Sequence, residues 1–230
     1  MFPSSNARES SISPLARVGG FTVVELISVL AIIAVLGSLM TPVLISARAR
    51  ARDVGCVANL REWGRATLLY ANEHDDRLPK DGTPNGTSRD GGWYVDLPRV
   101  LSLPPYHEMS WRTNGAIEPA RSLWICPSNR RRSNGVNLFH YCVNEHINGR
   151  GSGRQADLTS IRRPGLTVWM FDNGKQAGVA QQNNIHTNLH ASGAHFLFLD
   201  GHASHFRNTE YWDFVRDRGI TNNPGIRWIP

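Results

Sequence analysis

Twenty consecutive residues, Phe21 to Met40, carry a single charge, Glu25, in the run FTVVELISVLAIIAVLGSLM. Twenty helical residues rise about 30 Å, the thickness of a bilayer's hydrocarbon core. Leu, Ile, Val and Ala occupy every face of such a helix, so it has no polar stripe to turn toward water. A membrane-spanning helix is therefore expected, ahead of a buried core helix. The whole chain of 230 residues is only 40% hydrophobic and 19% charged. That is a globular composition, which allows one span and excludes a multi-span protein.

The order of residues around the run matters as much as its length. A secretory signal places its small-residue cleavage site after the apolar segment. Here the small pair, Gly19-Gly20, comes before it. A cut after Gly20 keeps the apolar helix on the finished chain and leaves a new α-amino group on Phe21. Glu25 lies one helical turn further on. A carboxylate in hydrocarbon is costly unless paired, and that amine can neutralise it within one chain or between staggered neighbours.

These residues resemble a known family. Gly20-Phe21-Thr22-Val23-Val24-Glu25-Leu26-Ile27, followed by the apolar run, is similar to the class III leader junction of type IV prepilins and type II secretion pseudopilins. The resemblance implies that a prepilin peptidase cleaves between Gly20 and Phe21 and N-methylates Phe21. It also implies that Glu25 serves methylation and subunit register, and that Pro42 is the helix-kinking proline of many pilins. A second motif, His190 followed after nine residues by Asp200-Gly201, resembles the H-x9-D-G signature of a C-terminal domain on many prepilin-type proteins. Cys56, Asn59-Leu60, Tyr70 and Cys126-Pro127-Ser128 agree with that domain.

The implied organisation is a leader at 1–20, a transmembrane and assembly helix at 21–41, the soluble half of the helix at 42–72, and a β-rich globular region at 73–230. Val57, Leu60, Gly64, Leu68 and Ala71 recur at helical spacing and form one apolar stripe. Dense turn formers follow between 79 and 96, with Trp93 and Tyr94 anchoring the end of that loop to the core. Strands are expected at 122–126, 138–143, 166–171, 194–199 and 202–206. The expected fold is therefore α+β and pilin-like, a long N-terminal helix packed on a small antiparallel sheet.

Asp200-Gly201 reads as a two-residue hairpin turn pairing Leu199 with His202, Leu197 with Ser204 and His195 with Phe206. That register puts His195 and His205 on opposite faces and Phe196, Phe198, Ala203 and His205 on one core face. It lets no three histidine or carboxylate ligands converge, so no metal and no cofactor are expected. His190 is read as packing or capping the loop before the hairpin. Asp172 and Asn173 are candidate ion ligands for which no full ligand set can be placed. Cys126 and Cys142, on two predicted strands, can form a disulfide in an oxidising compartment, which leaves Cys56 as a single thiol.

No nucleophile elbow, P-loop, zinc-protease or C-x-x-C pattern is present, so no enzyme is expected. The expected role is a structural subunit in the inner membrane, its globular part in the periplasm or outside the cell. Its partners by resemblance are prepilin peptidase and other pilin or pseudopilin subunits. The alternative is a minor pilin binding DNA or another ligand, using Arg130-Arg131-Arg132 and the mature charge of +5, the chain's +6 less the leader's +1. Salt-dependent nucleic-acid binding separates the two.

Overall fold

The computed structural model describes residues 20–114, 122–149 and 153–230. The expected leader, apart from Gly20, lies outside the described residues. The chain divides into two compact units, Met1–Ser46 and Ala47–Pro230. Helix α1 runs Val23–Glu73 and contains Pro42. Proline has no N–H to give, so the Ser38 carbonyl lacks its usual i+4 donor. Every residue from 20 to 52 is exposed, the apolar ones included. This helix is long and apolar enough to cross a membrane.

In the second unit α1 becomes a packing helix. Cys56, Leu60, Trp63, Gly64, Ala66, Thr67, Tyr70 and Ala71 are buried, a stripe with the three- and four-residue spacing of one helix face. It packs on a five-stranded sheet of β1 (Tyr141–Asn144), β2 (Val168–Asp172), β3 (Val179–Ala180), β4 (Gly193–Phe198) and β5 (Ala203–Arg207). Their spatial order is β3-β1-β2-β4-β5. The fold is thus α+β, as expected, but the sheet is mixed, because β3 pairs parallel to β1. A short helix, α2 (Trp93–Val100), brings Trp93 and Tyr94 into the core, where both are fully buried.

Every residue of β1, β2 and β4 is buried, because both sheet faces are covered. One face, with Trp169 and Leu197, meets α1 and an aromatic cluster of Trp63, Trp93, Trp124, Tyr106 and Phe139. The other carries Cys142, Phe171, Phe196 and Phe198 against Tyr211, Ile226 and Trp228 of the C-terminal segment. A shift in the β2–β4 pairing between Val168 and Met170 lets Trp169 and Met170 both join the helix-side core. The Trp169 indole then donates to Thr67 Oγ1 of α1 at 2.9 Å.

Three sequence expectations are corrected. Residues 122–126 form a turn, not a strand, with Ile125 N–H donating to Ser122 O. The Asn59 amide of α1 takes the place of a strand partner, donating to Ser122 O at 3.3 Å and Ile125 O at 3.0 Å. The disulfide joins Cys56 to Cys126, and Cys142 is a buried free thiol. Cys126 lies in the helix-side core and Cys142 in the opposite one, so the expected Cys126–Cys142 bridge has no path.

The third correction is the hairpin register. Phe198 N–H bonds His202 O, so Leu199, Asp200 and Gly201 form a three-residue loop with Gly201 at φ +89°. A glycine in the left-handed region closes such loops. The register becomes Leu197 opposite Ala203, Phe196 opposite Ser204 and His195 opposite His205. A one-residue slip turns a strand over. His205 and Ala203 therefore leave the Phe196 and Phe198 face and lie beside His195 and Leu197.

Candidate functional site

Two places carry chemistry-bearing residues. The first is the start of α1. Thr22 N–H and Oγ1 both donate to Glu25 Oε2 at 2.8 Å, and Glu25 N–H returns a bond to Thr22 Oγ1 at 3.2 Å. This is a capping box that satisfies donors the helix start would otherwise leave free. Glu25 is exposed here, as is Phe21. A Cβ added at Gly20 meets nothing within 4 Å. Among the described residues, none sets a steric requirement for glycine at that position.

The second place is a polar cluster sealed between α1 and the sheet. His190 sits in a tight loop closed by Leu189 and His190 N–H groups on Gly193 O. Ala191 (φ 44°) and Ser192 (φ 64°) are consecutive left-handed residues, a conformation L side chains seldom adopt. Gly193 is required next, since a Cβ there would lie 2.5 Å from His205 Nε2. The loop aims His190 Nδ1 at Asp53 Oδ1 of α1, 2.5 Å away, and Nε2 at Asp172 Oδ2 of β2, 3.2 Å away. His195 of β4 places Nε2 2.9 Å from the same Asp53 oxygen. Its backbone N–H donates to Asp172 Oδ2 at 2.7 Å. His205 Nε2 donates to His190 O at 2.7 Å, so β5 braces the loop.

His190 and His195 are 3% and 2% exposed and Asp172 is fully buried, whereas the Asp53 side chain is 42% exposed. Burial works against charge on His190, but the Asp172 and Asp53 carboxylates outweigh it and raise its pKa. For His195 burial prevails over the same carboxylates, and its pKa falls below the ordinary histidine value. Burial pushes Asp53 up, yet its two imidazole neighbours prevail and lower it. Asp172 Oδ1 and His195 Nδ1, both buried, have no hydrogen-bond partner among the described residues. Among the described residues, no hydroxyl and no free thiol bonds either imidazole. The nearest sulfur, Cys126 Sγ at 3.5 Å from His190 Nε2, is tied up in the disulfide.

The H-x9-D-G motif is thereby resolved into two contacts with α1. His190 meets Asp53 directly. Asp200 Oδ1 accepts His202 N–H at 3.1 Å and shapes the turn. Gly201 then presses on the helix: a Cβ at Gly64 would lie 3.0 Å from Gly201 O and 2.8 Å from Leu197 Cδ1. Asp53 and Gly64 are three helical turns apart, about 16 Å. The motif's two ends thus hold the sheet to the helix at two levels.

Other sequence candidates have structural roles. Arg131 donates to the carbonyls of Asn173, Gly174 and Lys175, so the middle arginine of the triplet braces that turn, while Arg130 and Arg132 are exposed. Asn173 donates to Phe139 O at 3.0 Å and Ala177 O at 2.7 Å, which shapes its turn. Asp172 turns to the histidines instead. His140 is held neutral, its pKa pushed down to about 4 chiefly by burial. It accepts Cys126 N–H at Nδ1, 3.2 Å away, and donates from Nε2 to Arg131 O.

Asp53 was missed by sequence reasoning, because it lies beside the apolar stripe of α1 and 142 residues from His195. The capping box at Thr22 and Glu25 was missed as well, although Thr-x-x-Glu ahead of an apolar run is a local signal for one. Comparison of the chain with protein-family models, with curated proteins and with solved structures returns no match.

Proposed function

We propose that this chain is a structural pilin-like subunit, a pseudopilin or minor pilin. It is cleaved between Gly20 and Phe21, N-methylated at Phe21, held in the inner membrane by the first part of α1, and assembled with related subunits through that helix. One observation carries the reading: from Phe21 to Met40 α1 exposes apolar side chains on all sides, with Glu25 the single charge. Water gives such a surface no stable place, whereas a bilayer or a bundle of like helices does. Two further facts support it. Among the described residues no contact explains glycine at position 20, which suits a requirement set by a peptidase. The Cys56–Cys126 disulfide suits a globular part outside the cytoplasm.

Once Phe21 carries the new terminus, its amine lies one turn from Glu25. The carboxylate can then exchange its Thr22 capping bonds for that amine or for the amine of a staggered neighbour. Two variants test the scheme in cells. Glu25→Val is expected to be cleaved normally but to lose cross-linked assemblies, read by immunoblot after membrane cross-linking. Gly20→Asp is expected to remain at precursor size. A Gly20→Asp chain of mature mass, or wild-type assembly by Glu25→Val, contradicts the proposal.

A further inference from the structure

The structure assigns a divalent metal site to Asp53, His190 and His195, with a zinc-class ion clamping α1 to β4 and the loop before it. Asp53 Oδ1, His190 Nδ1 and His195 Nε2 lie within 4.8 Å of one another. Zinc binds such nitrogens and oxygens at about 2.0–2.2 Å with tetrahedral geometry. Asp53 Oδ1 now lies 2.5 and 2.9 Å from the two nitrogens. A small withdrawal of the half-exposed Asp53 side chain makes room for the ion.

Two further features point to a cation and not to a plain hydrogen-bonded cluster. Metal-bound imidazoles characteristically give their other nitrogen to a carboxylate, and His190 Nε2 faces the buried Asp172 at 3.2 Å. Asp53 and Asp172 supply two negative charges, which a divalent ion cancels, and a buried carboxylate demands such compensation.

Asp53 and His190 also line a cavity of about 350 Å³, together with Arg50, Arg52 and Arg130. A water or small anion completes the coordination from that side.

The test uses full-length, untagged protein in detergent, stripped with a chelator and kept oxidised. Titration with Zn²⁺ is expected to give one bound ion per chain and a higher melting temperature. Co²⁺ is expected to give the visible bands of a tetrahedral site. Asp53→Asn and His195→Gln should each weaken binding at least tenfold. Asp172→Asn, a positioning variant, should weaken it by about 10–100-fold. His202→Gln, on the exposed turn, should bind as wild type does. Asp53 is half-exposed on a helix surface, so Asp53→Asn remains informative even if His195→Gln fails to fold. Fewer than half an ion per oxidised wild-type chain overturns the assignment. So does wild-type affinity in Asp53→Asn, or binding that appears only after reduction, which would place the ion on Cys56, Cys126 and His190. Stoichiometry on the purified chain does not depend on its processing or assembly, so this result and the proposed function fail independently.

Discussion

Replacing Cys126 with serine is expected to destabilise the globular unit by about 4 kcal/mol, the loop-closure value for a bridge between residues 70 apart. The loop it closes runs from α1 to the turn at 122–126, which is also held by the Asn59 amide, by the Trp63 indole donating to Leu123 O at 3.2 Å, and by Cys126 N–H on His140 Nδ1. Denaturant unfolding of the full chain in detergent measures the loss. Cys142→Ala should cost far less, because it removes only a buried sulfur atom from the opposite core. A non-reducing peptide map separates the alternatives further: the Cys56 and Cys126 peptides should migrate as one linked species, with the Cys142 peptide free. A Cys126–Cys142 link, or equal costs for the two substitutions, would contradict the packing described.

The second large effect is at Gly64. Leucine there gains about 1 kcal/mol of helix propensity. Its Cβ, however, already falls 2.8 Å from Leu197 Cδ1 and 3.0 Å from the Gly201 carbonyl. Overpacking of this kind costs about 1–3 kcal/mol, at times more, and here the obstacle includes backbone at a glycine held at φ +89°. We expect Gly64→Leu to be destabilised by about 2–3 kcal/mol net and Gly64→Ala by much less, both read from the same unfolding curves. Wild-type stability in Gly64→Leu would mean that the Asp200-Gly201 turn does not rest on α1.

The long helix was legible because its signal is one of length and composition: an expected span of 21–72 compares with Val23–Glu73. The strands around Trp169, Phe196 and Ser204 were legible as apolar and alternating runs. Register was not, since Asp-Gly serves a two-residue turn and a three-residue loop alike, and the choice follows from the left-handed glycine at 201 pressed against Gly64 and Leu68. That single residue of offset also hid the approach of His205 to His195. With His195 and His205 assigned to opposite faces nothing converged, whereas in the structure they lie side by side, ring centres 5.3 Å apart. Asp53 and the Cys56 partner of Cys126 were hidden for another reason. Both contacts are made by a helix to segments far along the chain, and no local pattern encodes such pairings.

The central claim is that the apolar helix stays on the finished protein and begins at Phe21. Intact mass and amino-terminal sequencing of the protein extracted from its native membrane test it most directly. The expected result is an N-methylated phenylalanine as first residue, followed by Thr-Val-Val-Glu, with the apolar run intact. A membrane-extracted chain that still begins with Met1, or one that begins beyond Met40, would contradict it.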